Sequence, residues 1–339
     1  MGPEKKTFNW KATVGIALSL LFIFLAFRRV NFGQMLQALG EADYVYLLPV
    51  LAVTGLGLFL RSLRWQFLLA PMGRPGNGVL FRSLSIGYMA NTFLPAHLGE
   101  IVRAWHASRT TGIAASSVFA TIVVERLIDV VSLLLLLGLA LVVFPFPSWV
   151  RQSGGLMLAL VIVLSALLLL MKRNRRKALE TSGRLLSFLP AAPAARVREL
   201  LDQFLNGVAP LAGRGHYLVV GALSLAIWAS YALIFQLLFY AFGFVGRYRL
   251  PWTAALVAMV VTTISIVVPS SPGYVGSFHF LCQLSLGLFS VPKGPALSYA
   301  FVLHAISVFP PFFLGLFFLS REKLSLRSLR QGDIHARDH

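Results

Sequence analysis

Six uncharged, predominantly apolar runs dominate the sequence: Ala12–Phe27, Tyr44–Leu60, Val130–Phe146, Leu156–Met171, Leu218–Phe242 and Ala296–Leu319. About 20 apolar residues in a helix cross the hydrocarbon core of a bilayer. Only 12% of the 339 residues are charged, about half the share of a soluble domain. Alternating strand patterns are absent, which excludes a barrel reading. The expected fold is an all-α polytopic membrane protein with about six full spans, read as a single integral membrane domain over 1–339.

Ala12–Phe27 is a retained first span rather than a cleaved leader. Arg28-Arg29 follows it, and no small-residue cleavage site precedes them. The formal net charge is +18. In a chain this apolar, such a charge obeys the positive-inside rule and attracts anionic lipid head groups; it does not imply nucleic acid. With a cytoplasmic N-terminus, 23 of the 30 Lys and Arg fall in the inside regions 1–11, 61–82, 103–109, 172–214 and 321–337, and six fall outside. The bias predicts a multi-pass protein of the cytoplasmic membrane with both termini inside. The basic loop 172–214 separates a first half (1–171) from a second (215–320), and a basic tail (321–339) follows. Within the loop, Ala195–Val208 has helical apolar spacing, read as a helix on the membrane surface or a partner-binding helix.

Two stretches interrupt the apolar pattern alike. NTFLPAHLGEIVRAW (91–105) and ISIVVPSSPGYVGSF (264–278) both run into P-x-x-x-G, at Pro95–Gly99 and Pro269–Gly273, with Pro272 inside the second. Proline removes a helix hydrogen bond and glycine admits unusual dihedrals. A broken backbone is tolerated in a membrane only where it is buried in protein or lines a polar cavity. The charge-based topology brings 80–111 in from the cytoplasm and 252–289 in from outside. That predicts two oppositely oriented broken hairpins forming an inverted repeat, with a polar groove at the midplane. Two plain proline-kinked helices are the alternative.

Ionisable residues concentrate in the first half. Glu100 and Arg103 lie in GEIVR; Glu125, Arg126 and Asp129 lie in ERLID. A charge at the bilayer centre costs about 2.5–3.5 kcal/mol on insertion scales, so three in five residues need a polar interior. The cluster reads as a lipid head-group site, with arginines for phosphate and carboxylates orienting them, or as a closed ion-pair lock between helices. Snorkelling of Glu125 near a helix end is a third reading. Arg61, Arg64 and Trp65 end the second span, as interfacial anchors or as phosphate contacts. The second half offers Ser270, Ser271, Gly273, Tyr274, Gly276, His279 and His304 as polar lining. No third ligand joins the two histidines, so neither a metal nor a cofactor is expected, and the single Cys282 forms no internal disulfide. Phosphate-binding loops, nucleophile elbows, zinc motifs and dinucleotide fingerprints are missing, so the chain is not read as an enzyme.

R-x-x-R-W at 61–65, G-E-x-x-R at 99–103, E-R-x-x-D at 125–129, P-x-x-P-G-Y-x-G at 269–276 and H-x-x-x-x-x-P-x-x-x-x-G at 304–315 together resemble the flippase-like family, the lysylphosphatidylglycerol synthase transmembrane region. The resemblance covers about 12–320. It implies a protein that moves lipids between leaflets, here without the soluble synthase that some members carry. Many members have a glutamate near position 278 or 279; this chain has Phe278-His279, so no role for that carboxylate carries over. The expected function is translocation of an anionic phospholipid or polyprenyl-phosphate-linked lipid. The alternatives are a membrane enzyme or accessory subunit of lipid glycosylation, and a small-solute or ion transporter.

Overall fold

The computed structural model describes residues 10–94, 97–146, 148–185, 190–208, 214–266 and 272–322. Among these residues every regular element is helical. The first half holds α1 (Trp10–Phe27), α2 (Phe32–Gly40), α3 (Leu47–Leu69), α4 (Asn77–Phe93), α5 (Gly99–Thr111), α6 (Ala115–Val143) and α7 (Ser148–Arg173). Then come α8 (Arg175–Leu185), α9 (Ala191–Gly207), α10 (Arg214–Ala241), α11 (Phe244–Arg247), α12 (Ala254–Thr263), α13 (Ser277–Gly287) and α14 (Lys293–Arg321).

Among the described residues five stretches are long and apolar enough to cross a membrane: Tyr44–Leu69, Ala115–Val143, Gly154–Arg173, Gly215–Ala241 and Lys293–Arg321. A sixth follows if α1 and α2 form one bent span, with 84° between Leu18–Phe27 and Phe32–Gly40. The chain is a multi-pass all-α membrane protein. The bend has local causes. Arg29 adopts φ 62°, and the Asn31 side chain caps α2 by accepting a hydrogen bond from Gln34 N at 3.1 Å. The first span read from the sequence ends at Phe27, because the apolar run stops before Arg28.

The chain divides into two compact units. One comprises residues up to Ala52, a short piece from Asn91 and Ala232–Val308; the other comprises Val53–Ala90, His97–Tyr231 and Phe309 onward. In the first unit, α12 and α13 are broken arms. At 1.5 Å per residue they reach about 15 and 16 Å, half of a roughly 30 Å core, so neither spans alone. The turn before α13 runs through positive φ at Gly273 (73°), Tyr274 (57°) and Gly276 (95°). Gly276 is also held by space: a Cβ there would lie 2.7 Å from Ser19 O of α1. An aromatic cluster of Phe235, Phe239, Phe242, Phe244 and Tyr299 fills this unit's interior, with Tyr299 Oη donating to Phe235 O at 3.0 Å.

In the other unit, Trp65, Leu69, Leu80, Ala104, Val118 and Ile122 pack α3, α4, α5 and α6 together. The helix expected over 195–208 forms as α9, docked on α6. Leu205 is fully buried, Ser117 Oγ donates to Gln203 O at 2.7 Å, and Lys172 Nζ donates to Leu205 O at 2.7 Å. Arg175 of α8 grips Asp202 of α9 through two 2.6 Å hydrogen bonds, which hold the Asp202 carboxyl below its ordinary range.

Candidate functional site

The ionisable residues of the first half meet in one network inside the second-described unit. α3 supplies Arg61 and Arg64, α5 supplies Glu100 and Arg103, and α6 supplies Glu125, Arg126 and Asp129. Arg61 lies eight residues from the end of α3, about 12 Å along the helix. The anchor reading of Arg61, Arg64 and Trp65 is therefore corrected. α3 continues two turns past Leu60, and all three side chains turn inward to be buried. Glu125 does not snorkel either, because it is completely buried.

Glu125 is the hub. Its Oε2 lies 2.8 Å from Arg103 Nη2, and its Oε1 lies 3.3 Å from Arg61 and 3.6 Å from both Arg64 and Arg126. Asp129 is 2.7 Å from Arg64 Nη2, 3.2 Å from Arg61 Nη1 and 3.4 Å from Arg126 Nη1. Glu100 approaches Arg126 at 3.0 Å and Arg103 at 3.7 Å. Neutral groups complete the set. Arg61 Nε donates to Tyr231 Oη at 2.6 Å, and Arg64 Nη1 donates to Ser224 Oγ at 3.0 Å. The Arg103 guanidinium stacks 3.7 Å above the Trp65 ring, and Trp65 Nε1 donates to Thr121 Oγ1 at 2.9 Å.

Four guanidiniums face three carboxylates, which leaves one net positive charge. Arg126 is the exposed member of the network. Its Nη2 is held by Glu100 Oε1 at 3.0 Å, its Nε is buried without a hydrogen bond, as are Arg64 Nε and Arg103 Nε, and its side chain is the only one of the seven to reach the surface substantially, at 38%. A buried donor left unmatched costs about 1–3 kcal/mol, so an anion entering beside Arg126 gains both charge balance and the free Nε–H.

Close packing of α4 on α5 aims Arg103. A Cβ on Gly87 would lie 2.7 Å from Arg103 Cβ and 3.0 Å from Gly99 O. Overpacking of this kind costs about 1–3 kcal/mol. Gly87→Ala is expected to lower the thermal unfolding midpoint of the detergent-solubilised protein; an unchanged midpoint would mean that the two helices are free to separate.

The second-half residues gather in the other unit. His304 Nε2 donates to Gly273 O at 2.7 Å, His279 Nδ1 accepts from Gly276 N at 3.4 Å, and the two imidazoles are 4.7 Å apart. That pairing puts the His279 proton on Nε2, which is buried without a partner. Pro95, Pro269, Ser270 and Ser271 lie outside the described residues, whereas Pro272 opens the short turn to Tyr274. Gly99 is not the residue that bends its segment. It opens α5 within the helix, and the positive φ falls on His97 at 57°.

Sequence reasoning missed Tyr231 and Ser224. Their signal was present: they stand seven residues apart on α10, which places them on one face of a mostly apolar helix. Among the described residues no group of three His, Cys, Asp or Glu is placed to hold a metal. A cleft of about 510 Å³ between α8 and α9 is lined by Leu179, Ala194, Arg198 and Asp202 and holds none of the network.

The family described as Lysylphosphatidylglycerol synthase TM region matches residues 12–315. A UPF0104 membrane protein of Methanocaldococcus jannaschii is 21% identical over 316 residues, covering 90% of this chain and 93% of that protein. One from Methanothermobacter thermautotrophicus is 25% identical over 90% of this chain and 91% of its own. A protein of Haloferax volcanii named Glycosyltransferase AglD is 25% identical over 86% of this chain, but only 51% of that protein is covered. No solved structure matches. From its apolar helices to its ordered set of arginines and carboxylates, the chain belongs to the lysylphosphatidylglycerol synthase transmembrane-region family.

Proposed function

We propose that the chain is a lipid translocase that carries an anionic, phosphate-bearing lipid between the leaflets of the cytoplasmic membrane. The observation that carries this reading is the buried network with one net positive charge, whose one exposed member, Arg126, keeps an unmatched Nε–H. A phosphate oxygen pair suits a guanidinium fork. Arg126 would take the phosphate, with Arg103 enclosed beside it against Trp65 and Glu125; Glu100, Glu125 and Asp129 hold the guanidiniums in place; Arg61 and Arg64 hold Asp129. In the other unit the buried His279 Nε2–H and the turn at Gly273–Gly276 offer polar groups to a head group. The basic bias of the loops supports cytoplasmic termini.

The name of the Haloferax relative favours a second reading, an accessory role in lipid glycosylation. Against catalysis in the network, each carboxylate already contacts two or more guanidiniums, so none can take a substrate proton without breaking an ion pair. Proteoliposomes with a fluorescent phosphatidylglycerol and an impermeant quencher separate the two. Exchange above protein-free vesicles, faster for phosphatidylglycerol than for phosphatidylcholine, is expected. If phosphatidylglycerol, phosphatidic acid and polyprenyl phosphate all stay in their leaflet, the translocase reading fails.

A further inference from the structure

Helix α5 carries more basic side chains than the network uses. Arg103, His106 and Arg109 stand at i, i+3 and i+6, so each meets its neighbour one turn along. Arg103 belongs to the network. His106 and Arg109 instead line a separate cleft of about 350 Å³, together with Arg82, Trp105, Thr110 and Glu322.

His106 is the fixed part of this cleft, with 1% of its surface exposed. Ser83 Oγ lies 2.9 Å from Val79 O and 2.8 Å from His106 Nδ1. The Glu322 carboxylate can only accept, so the ring proton lies on Nε2 and donates to it, while Nδ1 faces the Ser83 hydroxyl. His106 Nε2 then faces Glu322 Oε2, while Glu322 Oε1 sits 3.4 Å from Arg82 Nη1. One carboxylate thus bridges a buried imidazole and a guanidinium. Arg109 lies 5.1 Å from the Trp105 ring and has no carboxylate in ion-pair reach among the described residues.

We propose that this cleft is a second anion site, built for a phosphate ester, and that Glu322 is the resident counter-ion the phosphate displaces. A carboxylate offers two oxygens to His106 and Arg82. A phosphate offers the same two and a third for Arg109. The two guanidiniums outweigh the single carboxylate, so an added anion is favoured even with Glu322 nearby. The cleft volume falls in the range of small-molecule sites, which leaves room for a head group against the flat face of Trp105. The site does not depend on the translocase reading, since a phosphate can bind here whether or not lipid crosses.

The test is calorimetric titration of the full chain in a neutral detergent. Inorganic phosphate and glycerol 3-phosphate form one arm, and phosphatidic acid against phosphatidylcholine forms the other. Losing one charge-assisted contact predicts about tenfold weaker binding for Arg109→Ala, and freeing the site of its counter-ion predicts about tenfold tighter binding for Glu322→Gln. Arg109 is exposed, so its variant folds without difficulty. Tighter binding in the lipid arm identifies a lipid head group; equal binding identifies a free phosphate ester. An unchanged affinity in either variant, or no binding of any probe to the parent and to Glu322→Gln, overturns the proposal. So does loss of this binding in Arg126→Ala, which would place the anion in the buried network instead. If Arg126→Ala keeps the binding while translocation is absent, the cleft stands and the translocase reading alone falls.

Discussion

Replacing Arg126 with alanine is expected to abolish most leaflet exchange of an anionic lipid while leaving the protein folded. The two halves of this expectation have different origins. Arg126 is the one arginine of its network with a substantially exposed side chain, at 38%, and its Nε has no hydrogen bond. A charge-assisted hydrogen bond is worth about 1.5–3 kcal/mol, so its loss from the rate-limiting state slows exchange by roughly ten- to a hundredfold. Stability responds much less. With Arg126 gone, three guanidiniums face three carboxylates, and the buried charge balances. Glu100 loses its 3.0 Å partner but keeps Arg103 at 3.7 Å. Arg126→Lys separates charge from geometry: a lysine restores the positive charge without the fork, so it should recover exchange only in part. The measurement is fluorescent phosphatidylglycerol exchange in proteoliposomes at matched protein content. Full activity in Arg126→Ala would remove this arginine from the lipid path.

The division of labour inside the network follows from burial. Arg64, Arg103 and Glu125 are almost completely enclosed and tied to one another and to Ser224 and Trp65. Their guanidiniums are not positioned to release a partner for a passing ligand. Arg126 shares every carboxylate with at least one other arginine. A ligand can take its contacts without stripping any carboxylate of its last cation. The network is therefore an ion-pair lock with one open member, and the sequence alternatives of head-group site and helix lock need not exclude each other.

The spans, the breaks and the charged cluster were legible because each rests on local chemistry. Uncharged runs of 16 residues or more have few fates outside a membrane, and three charges within Glu125–Asp129 demand an interior partner. Other features depend on where the chain returns in space. Nothing within RSLRW says that α3 runs on to Leu69 and turns Arg61 and Arg64 toward α6. The sequence shows a basic-aromatic cluster after an apolar run, and that pattern elsewhere marks an interface. Tyr231 and Ser224 were hidden because isolated polar residues in an apolar helix usually serve helix packing. Glu322 was read as part of a basic tail, and its closure on His106 spans 216 residues. The bend after Arg29 depends on a single capping residue, Asn31, which a window of hydrophobicity does not register.

Glu125→Gln should produce the largest loss of stability of any single substitution in the network. Glu125 is fully buried and lies within 3.6 Å of all four arginines. Glutamine keeps the shape and removes the charge, so four guanidiniums would then face two carboxylates. Breaking a buried ion pair from one side costs about 3–5 kcal/mol, because the remaining charge stays buried without its partner. Arg103 suffers most, since Glu100 at 3.7 Å is the only carboxylate left near it. The second variant follows from that asymmetry. Removing Arg103 together with Glu125, as Glu125→Gln with Arg103→Gln, returns the cluster to three cations and two anions, the same net charge as the parent. It should regain part of the stability lost in the single variant, and the non-additivity measures the Arg103–Glu125 coupling. Thermal unfolding midpoints of the parent, both single variants and the double variant, taken in one detergent, complete the cycle. If Glu125→Gln melts with the parent, the carboxylate is not the hub of a charged core; if the double variant is as unstable as the sum of the singles, the 2.8 Å pair contributes nothing of its own.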